Sequence, residues 1–272
     1  METESRITDW LNKQSNAESQ KSLEANYFKW CGKCTDGFIV FKDDEGRIMA
    51  AECECMKKYK EEKKLKFANI PELMKKITLQ DVKLDVYREQ ENKKVVVVAC
   101  KTIKEYINHF EEMKKRGQGI YLWSETRGSG KTHLIVALAN KLMESNQVKF
   151  ATSGQIINAI KETYGKNGSY TENDLLADIC TTEILIIDDF GSEKITDWVN
   201  EKFYHIINQR YMDNKVTMFT SNTAINDLPY DKRITNRICE KVFELHYAEE
   251  SIREHKAEEN QAEIIRILKG GC

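Results

Sequence analysis

The residues best suited to chemistry lie where a short apolar strand ends and a helix begins. The order Gly-Ser-Gly-Lys-Thr at 128–132 is typical of a phosphate-binding loop. Backbone N–H groups of such a loop and the N-terminus of the following helix attract phosphate oxygens. We expect Lys131 to reach the β- and γ-phosphates of a nucleotide and the Thr132 hydroxyl to ligate Mg²⁺. The alternative is a Gly/Ser turn that caps an ordinary helix. The expected nucleotide contacts in this stretch are Arg127, Gly128, Ser129, Gly130, Lys131, Thr132 and His133.

The first position of this loop carries an acid. The usual pattern places glycine five residues before Gly130, and Glu125 occupies that position. A carboxylate beside phosphate groups is electrostatically unfavourable unless its side chain turns outward, and Arg127 is a candidate compensating charge. We therefore expect nucleotide binding with slow ATP hydrolysis.

Two further acids follow a fully apolar segment. Residues 183–189 read Glu-Ile-Leu-Ile-Ile-Asp-Asp, which is typical of a buried parallel strand with chemistry at its carboxyl end. We expect Asp188 to bind Mg²⁺ and Asp189 to polarise the attacking water; the alternative for both is helix capping. A further strand is predicted at 216–222, and Asn222 is its polar tip. Asn222 can reach the γ-phosphate if its strand lies beside the acid-bearing strand; otherwise it is a turn residue.

Four of the eight cysteines form a second candidate site. Cys31 and Cys34 have the spacing of a zinc knuckle, and Cys53 and Cys55 follow with a tighter spacing after eighteen intervening residues. The interval suits a β-hairpin with one thiolate pair near each end, and four thiolates suit a closed structural zinc site. Zinc would supply the folding energy of a segment too short for a core. Four reduced thiols in a small hairpin are the alternative.

Alternating strands and helices must position these groups, which predicts an α/β fold with a parallel sheet. Besides the strand before the loop, the patterns predict strands at 148–152, 183–189 and 216–222 and an extended piece at 77–82. They predict helices at 92–116, after the loop, at 155–164 with Ser153 as its cap, from Thr171, at 196–212 and from Ala248.

Length and composition set further bounds. We expect a zinc-binding module at 1–66, a linker at 67–100 and an ATPase domain at 101–272. The chain carries 42 basic and 44 acidic residues, so nucleic-acid binding requires a local patch. No apolar run is long enough to span a membrane, and the polar N-terminus lacks a signal core. These features indicate a cytoplasmic protein without a membrane partner.

Several motifs in one order resemble a known family. They are the cysteine cluster, the phosphate loop, Ile-Ile-Asp-Asp-Phe-Gly at 186–191, Asn-Gln-Arg-Tyr at 208–211 with Phe-Thr-Ser-Asn at 219–222, and the pair Arg233 and Arg237. Their order resembles the DnaC/DnaI helicase loaders, above all those of phages and prophages, and the related transposition helper IstB. These are AAA+ ATPases of the initiator clade. The resemblance implies a three-layer αβα domain with a central parallel sheet and a C-terminal lid that is short or absent.

The resemblance also implies residue roles. Asn222 corresponds to sensor 1, and Arg253 corresponds to the late arginine that acts like sensor 2. Arg237 corresponds to the arginine finger that completes a neighbouring subunit's site, with Arg233 as the other candidate. Because the finger acts in trans, the resemblance implies a ring or spiral of subunits.

Family members bind single-stranded DNA through a helix pair that falls at 161–176 in this chain. Lys161, Tyr164 and Lys166 would supply two phosphate-binding charges and one stacking ring.

The function implied is that of an ATPase, dependent on Mg²⁺ and ATP, which loads the replicative hexameric DNA helicase onto single-stranded DNA. Its zinc module would hold the helicase. One alternative is a transposase-stimulating ATPase of the IstB kind, which would assemble on duplex DNA. The other is a zinc adaptor that binds nucleotide weakly because of Glu125.

Overall fold

The chain divides into two compact units, residues 1–55 and 56–272. The expectation for Lys166 falls outside the described part of the chain, as does part of the module expected at 1–66. The computed structural model describes residues 31–34, 37–42, 46–56, 70–164 and 171–269.

The first unit contains an antiparallel hairpin of strands β1 (Phe38–Lys42) and β2 (Ile48–Glu52). The backbone N–H of Cys53 donates to the Gly37 carbonyl at 2.8 Å, which closes the open end of the hairpin. Most strand residues are exposed on both faces. The hairpin therefore buries little apolar surface of its own, as expected of a segment stabilised by a metal.

The second unit alternates helices and strands. Single turns of 3₁₀ helix lie at Glu72–Met74, Leu79–Asp81 and Ile225–Asp227. The remaining elements, in order, are α1 (Gln90–Asn108), α2 (Phe110–Arg116), β3 (Gly119–Trp123), α3 (Lys131–Leu142), β4 (Val148–Thr152), α4 (Ser153–Thr163), α5 (Glu172–Thr181), β5 (Ile184–Asp188), α6 (Asp197–Met212), β6 (Val216–Ser221), α7 (Lys232–Lys241), β7 (Val242–His246) and α8 (Ile252–Lys269).

The five strands of this unit form one parallel sheet in the order β4-β5-β6-β3-β7. Parallel strands end at the same edge of a sheet, so the loop after β3 and the acids at the end of β5 lie at one edge. Strand β6 lies between them and beside β5, which is the arrangement that Asn222 requires to reach this edge.

Two apolar cores cover the two faces of the sheet. Ile184 and Ile186 belong to a core with helices α1, α2 and α3, whereas Leu185 and Ile187 belong to a core with helices α4 to α7. Alternate residues of a strand point to opposite faces, and a strand buried on both faces is apolar throughout. The predicted three-layer αβα domain with a central parallel sheet is confirmed.

Several local predictions differ from the structure. The helix expected at 92–116 is two helices that meet at His109, whose φ of −107° and ψ of 18° are not helical. The piece expected to be extended at 77–82 contains a 3₁₀ turn, in which Thr78 and Asp81 hydrogen-bond to each other. The C-terminal helix begins at Ile252 rather than at Ala248.

Thr152, and not Ser153, caps helix α4. The Thr152 hydroxyl accepts a hydrogen bond from the Gln155 backbone N–H at 3.1 Å, and the Gln155 side chain accepts one from the Thr152 N–H. This reciprocal pair is a capping box. Ser153 instead donates from its Oγ to the Asp189 carbonyl at 3.0 Å, so it braces the acid-bearing strand.

Strand β7 was not predicted. Its Leu245 is buried, while Phe243 is exposed, because the strand lies at the edge of the sheet. Among the described residues, no helix has the length and apolarity that crossing a bilayer requires.

Candidate functional site

A cleft of about 1120 Å³ opens at the carboxyl edge of the sheet. Its volume suits a small ligand with several polar groups. All of its lining residues belong to the second unit, and the segment before α1 forms one wall. Most of the nucleotide-binding residues expected from the sequence line this cleft.

The phosphate loop runs from the end of β3 into the N-terminus of α3. Gly128 and Gly130 have φ values of 78° and 104°, which side chains with a Cβ rarely adopt. A Cβ at Gly130 would also lie 2.9 Å from the Tyr87 hydroxyl. The two glycines therefore allow the backbone of the loop to make a tight turn. The first N–H groups of α3 have no partner within the helix, and a helix N-terminus of this kind favours an anion in the cleft.

Lys131 lies within the loop and is almost fully buried. Its Nζ donates to the Thr126 carbonyl at 2.9 Å and to the Ser124 carbonyl at 3.1 Å. Burial lowers the pKa of Lys131 to about 8, although the charges of Glu249, Asp189 and Asp188 act to raise it. A buried ammonium group that faces a cleft is favourably placed to pair with a phosphate oxygen.

Asp188 is buried at the end of β5 and receives two hydroxyl groups. The Thr132 Oγ1 donates to Asp188 Oδ1 at 2.9 Å, and the Thr220 Oγ1 donates to the same oxygen at 2.5 Å. Burial raises the pKa of Asp188, while the two hydroxyl groups act to lower it. Thr132 and Asp188 offer neighbouring hard oxygen ligands at the cleft surface, so their chemistry fits Mg²⁺.

Asp189 and Asn222 form the next pair along this edge. The Asn222 Nδ2 donates to Asp189 Oδ1 at 2.8 Å. Asp189 has a φ of 55°, a conformation that is costly for a residue with a Cβ and that clusters at functional sites. The Asp189 backbone N–H donates to the Thr220 Oγ1 at 2.9 Å, which helps to hold the residue in that conformation.

Three further predicted contacts also line the cleft: Arg127, His133 and Arg253. The alkyl chain of Arg253 packs on Gly128, where an added Cβ would meet it at 3.1 Å. The His133 Nε2 is buried and has no hydrogen-bond partner among the described residues, so it could accept or donate to a ligand. Ser129 belongs to the loop and is buried, and its Oγ lies 3.0 Å from that of Ser124.

Glu125 turns away from the phosphate side of the loop. Its side chain is exposed, and it is absent from the described lining of the cleft. Its backbone N–H and that of Thr126 both donate to Glu249, at 2.8 Å each. The outward direction removes the electrostatic conflict that the sequence raised.

The segment before α1 supplies cleft residues that the sequence analysis missed, since it treated residues 67–100 as a linker. Ile77, Val82 and Val86 give one wall an apolar surface. The Tyr87 hydroxyl donates to the Ser129 carbonyl at 2.7 Å and so supports the loop from behind. These residues carry no local motif, and only their position in the fold identifies them.

Arg233 and Arg237 lie on α7, outside the lining of this cleft. The Arg237 guanidinium lies 5.2 Å from the centre of the Tyr204 ring and 5.7 Å from that of Tyr211. Arg233 is more exposed and pairs with Asp231 at 2.9 Å. Neither arginine is therefore placed to act on the cleft of its own chain.

The predicted DNA contacts Lys161 and Tyr164 lie beside Trp198. The Lys161 Nζ is 5.7 Å from the centre of the Trp198 ring, and the Trp198 Nε1 donates to the Tyr164 hydroxyl at 3.3 Å. Tyr164 is 58% exposed, so its ring is available for stacking. Trp198, on α6, thus places a second aromatic ring beside Lys161 and Tyr164.

The four cysteine sulfurs of the first unit converge on one point. All four Sγ atoms lie within 4.8 Å of one another, and three pairs are separated by 3.7, 3.5 and 3.2 Å. A tetrahedral zinc–thiolate site with Zn–S bonds of about 2.3 Å requires sulfur separations of about 3.8 Å. The separations exceed a disulfide bond length of about 2.05 Å. Cys31, Cys34, Cys53 and Cys55 therefore fit a structural zinc ion.

Comparisons with known proteins agree with this geometry. The family model of IstB-like ATP-binding proteins matches residues 29–256. XkdC of the phage-like element PBSX from Bacillus subtilis is 27% identical over 225 residues, which are 77% of this chain and 78% of that protein. The replicative helicase loader DnaC of Buchnera aphidicola is 27% identical over 143 residues, which are 52% of this chain and 53% of that protein.

A crystal structure of DnaI has the same fold as the second unit. It aligns with a TM-score of 0.52 and 23% identity over 66% of this chain and 95% of that chain. At this identity the alignment establishes the fold alone. The match to the curated DnaC spans about half of that protein, so the activity of the whole relative does not transfer directly.

Proposed function

This chain belongs to the family of IstB-like ATP-binding proteins, and we propose that it is an ATPase that loads the replicative hexameric DNA helicase onto single-stranded DNA. The convergence of Lys131, Asp188 and Asp189 at one edge of the sheet carries the proposal. A nucleotide triphosphate, a divalent cation and an attacking water each find a suitable group there.

In this proposal each polar residue of the cleft has its own role in binding or hydrolysing ATP. Lys131 pairs with the β- and γ-phosphates of ATP, and Thr132 and Asp188 hold Mg²⁺. The cation would offset the negative charge of the phosphates. Asp189 polarises the attacking water, and Asn222 fixes the Asp189 carboxylate through its hydrogen bond. Arg237 lies outside the described lining of its own chain's cleft, so we assign the arginine-finger role to Arg237 of an adjoining copy.

The first unit supports the loader role. Its compact four-cysteine hairpin would be a rigid binding module once zinc is bound, and we propose that it holds the helicase. A curated relative is named as a replicative helicase loader. Lys161, Tyr164 and Lys166 would contact single-stranded DNA in a cytoplasmic complex.

Titration with a fluorescent ATP analogue tests the nucleotide site. The wild-type chain should bind the analogue in the presence of Mg²⁺, and Lys131→Ala should weaken binding by about tenfold or more, because one charge-assisted phosphate contact is lost. Lys141→Ala removes an exposed lysine on the same helix, outside the described lining of the cleft, and is the matched control. Equal binding by wild type and Lys131→Ala would instead favour a zinc adaptor that binds nucleotide weakly.

A pull-down with the host's replicative helicase tests the loader role. Helicase should be retained by the full chain and lost with Cys31→Ser/Cys34→Ser, because the hairpin then lacks two zinc ligands. Failure of the wild-type chain to bind helicase, with ATP and without it, would reject the loader.

A second candidate function is an ATPase that stimulates a transposase on duplex DNA, which the family match favours. A band-shift assay with duplex and single-stranded oligonucleotides separates the two. ATP-dependent assembly on duplex DNA, without helicase binding, would support the transposase helper.

A further inference from the structure

A carboxylate from far along the chain holds the start of the phosphate loop. The backbone N–H groups of Glu125 and Thr126 donate to Oε1 and Oε2 of Glu249, each at 2.8 Å. Hydrogen bonds to an ionised carboxylate are roughly twice as strong as those between neutral groups. One side chain therefore fixes two consecutive peptide groups of the loop.

Glu249 is itself held by neighbouring elements. Its backbone N–H donates to the Asn92 Oδ1 at 2.9 Å, and its Oε1 lies 2.8 Å from the His246 Nε2. Burial acts to raise the pKa of Glu249, but hydrogen bonds from Thr126, His246 and the Glu125 N–H outweigh it and lower the pKa. The carboxylate is thus ionised at neutral pH and has a fixed position between α1, β7 and the loop.

The residues that follow Glu249 contact the other end of the loop. The Ile252 backbone N–H donates to the Gly128 carbonyl at 3.1 Å, and Arg253 packs on Gly128. Residues 249–253 therefore bracket the outer part of the loop from residue 125 to residue 128.

The bracketed peptide groups also orient the central lysine. The Lys131 Nζ donates to the carbonyls of Ser124 and Thr126, which flank Glu125 in sequence. A shift of the backbone at 125 and 126 would therefore displace the groups that fix the ammonium. The hydrogen bonds from Glu249 to this part of the backbone are relevant because Glu125 occupies a position that is usually glycine in such loops.

We propose that Glu249 is a positioning residue of the nucleotide site, which holds the backbone at Glu125 and Thr126 so that Lys131 meets the phosphates. The inference rests on the proposed binding of ATP. The inference predicts the opposite of what electrostatic repulsion alone would predict for Glu249. A carboxylate beside the loop should repel a triphosphate, so repulsion alone predicts that its removal strengthens ATP binding.

The test is ATP binding by Glu249→Gln in the full chain. Glutamine keeps one acceptor oxygen but turns an NH₂ group toward the second N–H, so we expect ATP binding to weaken about tenfold. Glu249→Asp keeps both oxygens on a shorter arm and should lose less. Glu240→Gln, an exposed glutamate on α7, is the matched control and should bind ATP as wild type does.

Hydrogen exchange of the two loop amides gives an independent measurement. The N–H groups of Glu125 and Thr126 should be protected in the wild-type chain and should exchange faster in Glu249→Gln. A side chain that merely filled space would be replaced by glutamine without loss. Circular dichroism verifies that each variant is folded. If Glu249→Gln is unfolded, ATP binding and hydrogen exchange of Glu249→Asp are compared with those of the wild-type chain instead.

Unchanged or tighter ATP binding by Glu249→Gln, with wild-type protection of the loop amides, would overturn the inference. Its failure is distinct from failure of the proposed function. If only the inference about Glu249 fails, the wild-type chain binds ATP and Glu249→Gln binds it equally well. If the proposed function fails, the wild-type chain binds ATP no better than Lys131→Ala does.

Discussion

Each acid at the carboxyl edge of the sheet is held by a neighbouring polar side chain. Asp188 receives the hydroxyl groups of Thr132 and Thr220, and Asp189 receives the amide of Asn222. Fixed hydrogen bonds of this kind preorganise a site, because little reorientation is then needed when a ligand binds. Two other buried or partly buried charged residues, Arg210 and Glu193, lie outside the described lining of the cleft.

The first is Arg210, the largest fully buried side chain among the described residues. Its guanidinium donates to the carbonyls of Ile179, Thr182 and Val216 and to the Thr217 Oγ1, at 2.6 to 2.9 Å. These bonds tie the end of α5 and the start of β6 to α6. Arg210 thus donates to buried carbonyl groups near the end of α5 and the start of β6.

Arg210→Lys should lower the free energy of unfolding by about 3 kcal/mol, because a lysine cannot reproduce the planar five-donor fork and leaves buried carbonyls unsatisfied. Urea denaturation followed by circular dichroism measures the change. Arg266→Lys, at an exposed position of α8, is the matched control and should have almost no effect. Equal stability of the two variants would contradict this account.

The second feature is the carboxyl group of Glu193, which accepts hydrogen bonds from Ser153 and Tyr230. Burial raises the pKa of Glu193, although the Ser153 hydroxyl acts to lower it. The folded chain therefore holds this proton to a higher pH than the unfolded chain does. The stability contributed by the protonated group is present at low pH and is lost as pH rises through the folded-state pKa.

Glu193→Gln has no proton to lose, so its stability relative to wild type should increase as pH rises from 5 to 8. Urea denaturation at both pH values measures this difference. Glu263→Gln, exposed on α8, serves as the control. A difference that is constant with pH, or that shrinks as pH rises, would show that the Glu193 carboxyl does not titrate in this range.

At the scale of elements, we propose that the cysteine hairpin depends on a bound metal ion. Its strands are largely exposed, and its four sulfurs converge on one point. Burial of apolar surface therefore contributes little to its stability, and metal binding would contribute most.

The purified chain should contain about one zinc ion, because four thiolates complete a tetrahedral site. Cys55→Ser should lose the metal and should make the hairpin sensitive to protease, whereas Cys239→Ser, a lone exposed cysteine, should keep both properties. Metal analysis and limited proteolysis measure the two effects. A zinc-free hairpin that resists protease would contradict the metal-dependent account.

At the scale of the whole molecule, the cleft and the α7 arginines face different surroundings. The cleft is lined by the phosphate loop and the ends of β5 and β6, whereas Arg237 packs against Tyr204 and Tyr211 of α6. Under the proposed function, an arginine finger on α7 would serve the cleft of another copy, because neither α7 arginine lines the cleft of its own chain.

Mixing two inactive variants tests this arrangement. Arg237→Ala should lower ATP turnover by on the order of 10³-fold, as loss of an arginine finger does. Mixed with Lys131→Ala, which keeps Arg237 but lacks its own nucleotide site, it should recover part of the activity. Arg233→Ala is the control on the same helix and should keep most of the activity. No recovery in the mixture would mean that Arg237 does not act between copies.

The sequence alone determined the parts of the protein that rest on local order. Glycine spacing predicted the loop of residues 128–132, and the apolar run at 184–187 predicted a buried strand that ends in two acids. Cysteine spacing predicted the hairpin site. These features were predictable because a turn, a strand or a short metal-binding motif depends on residues that are near one another in the chain.

Only the tertiary structure decided which distant residues join these motifs. The wall formed by Val82 and Val86, the Tyr87 support and the Glu249 carboxylate come from segments without a motif. Strand order placed Asn222 beside Asp189. The physical reason is that these contacts depend on how the helices and strands pack across the sheet, and packing joins residues more than one hundred positions apart, such as Glu125 and Glu249.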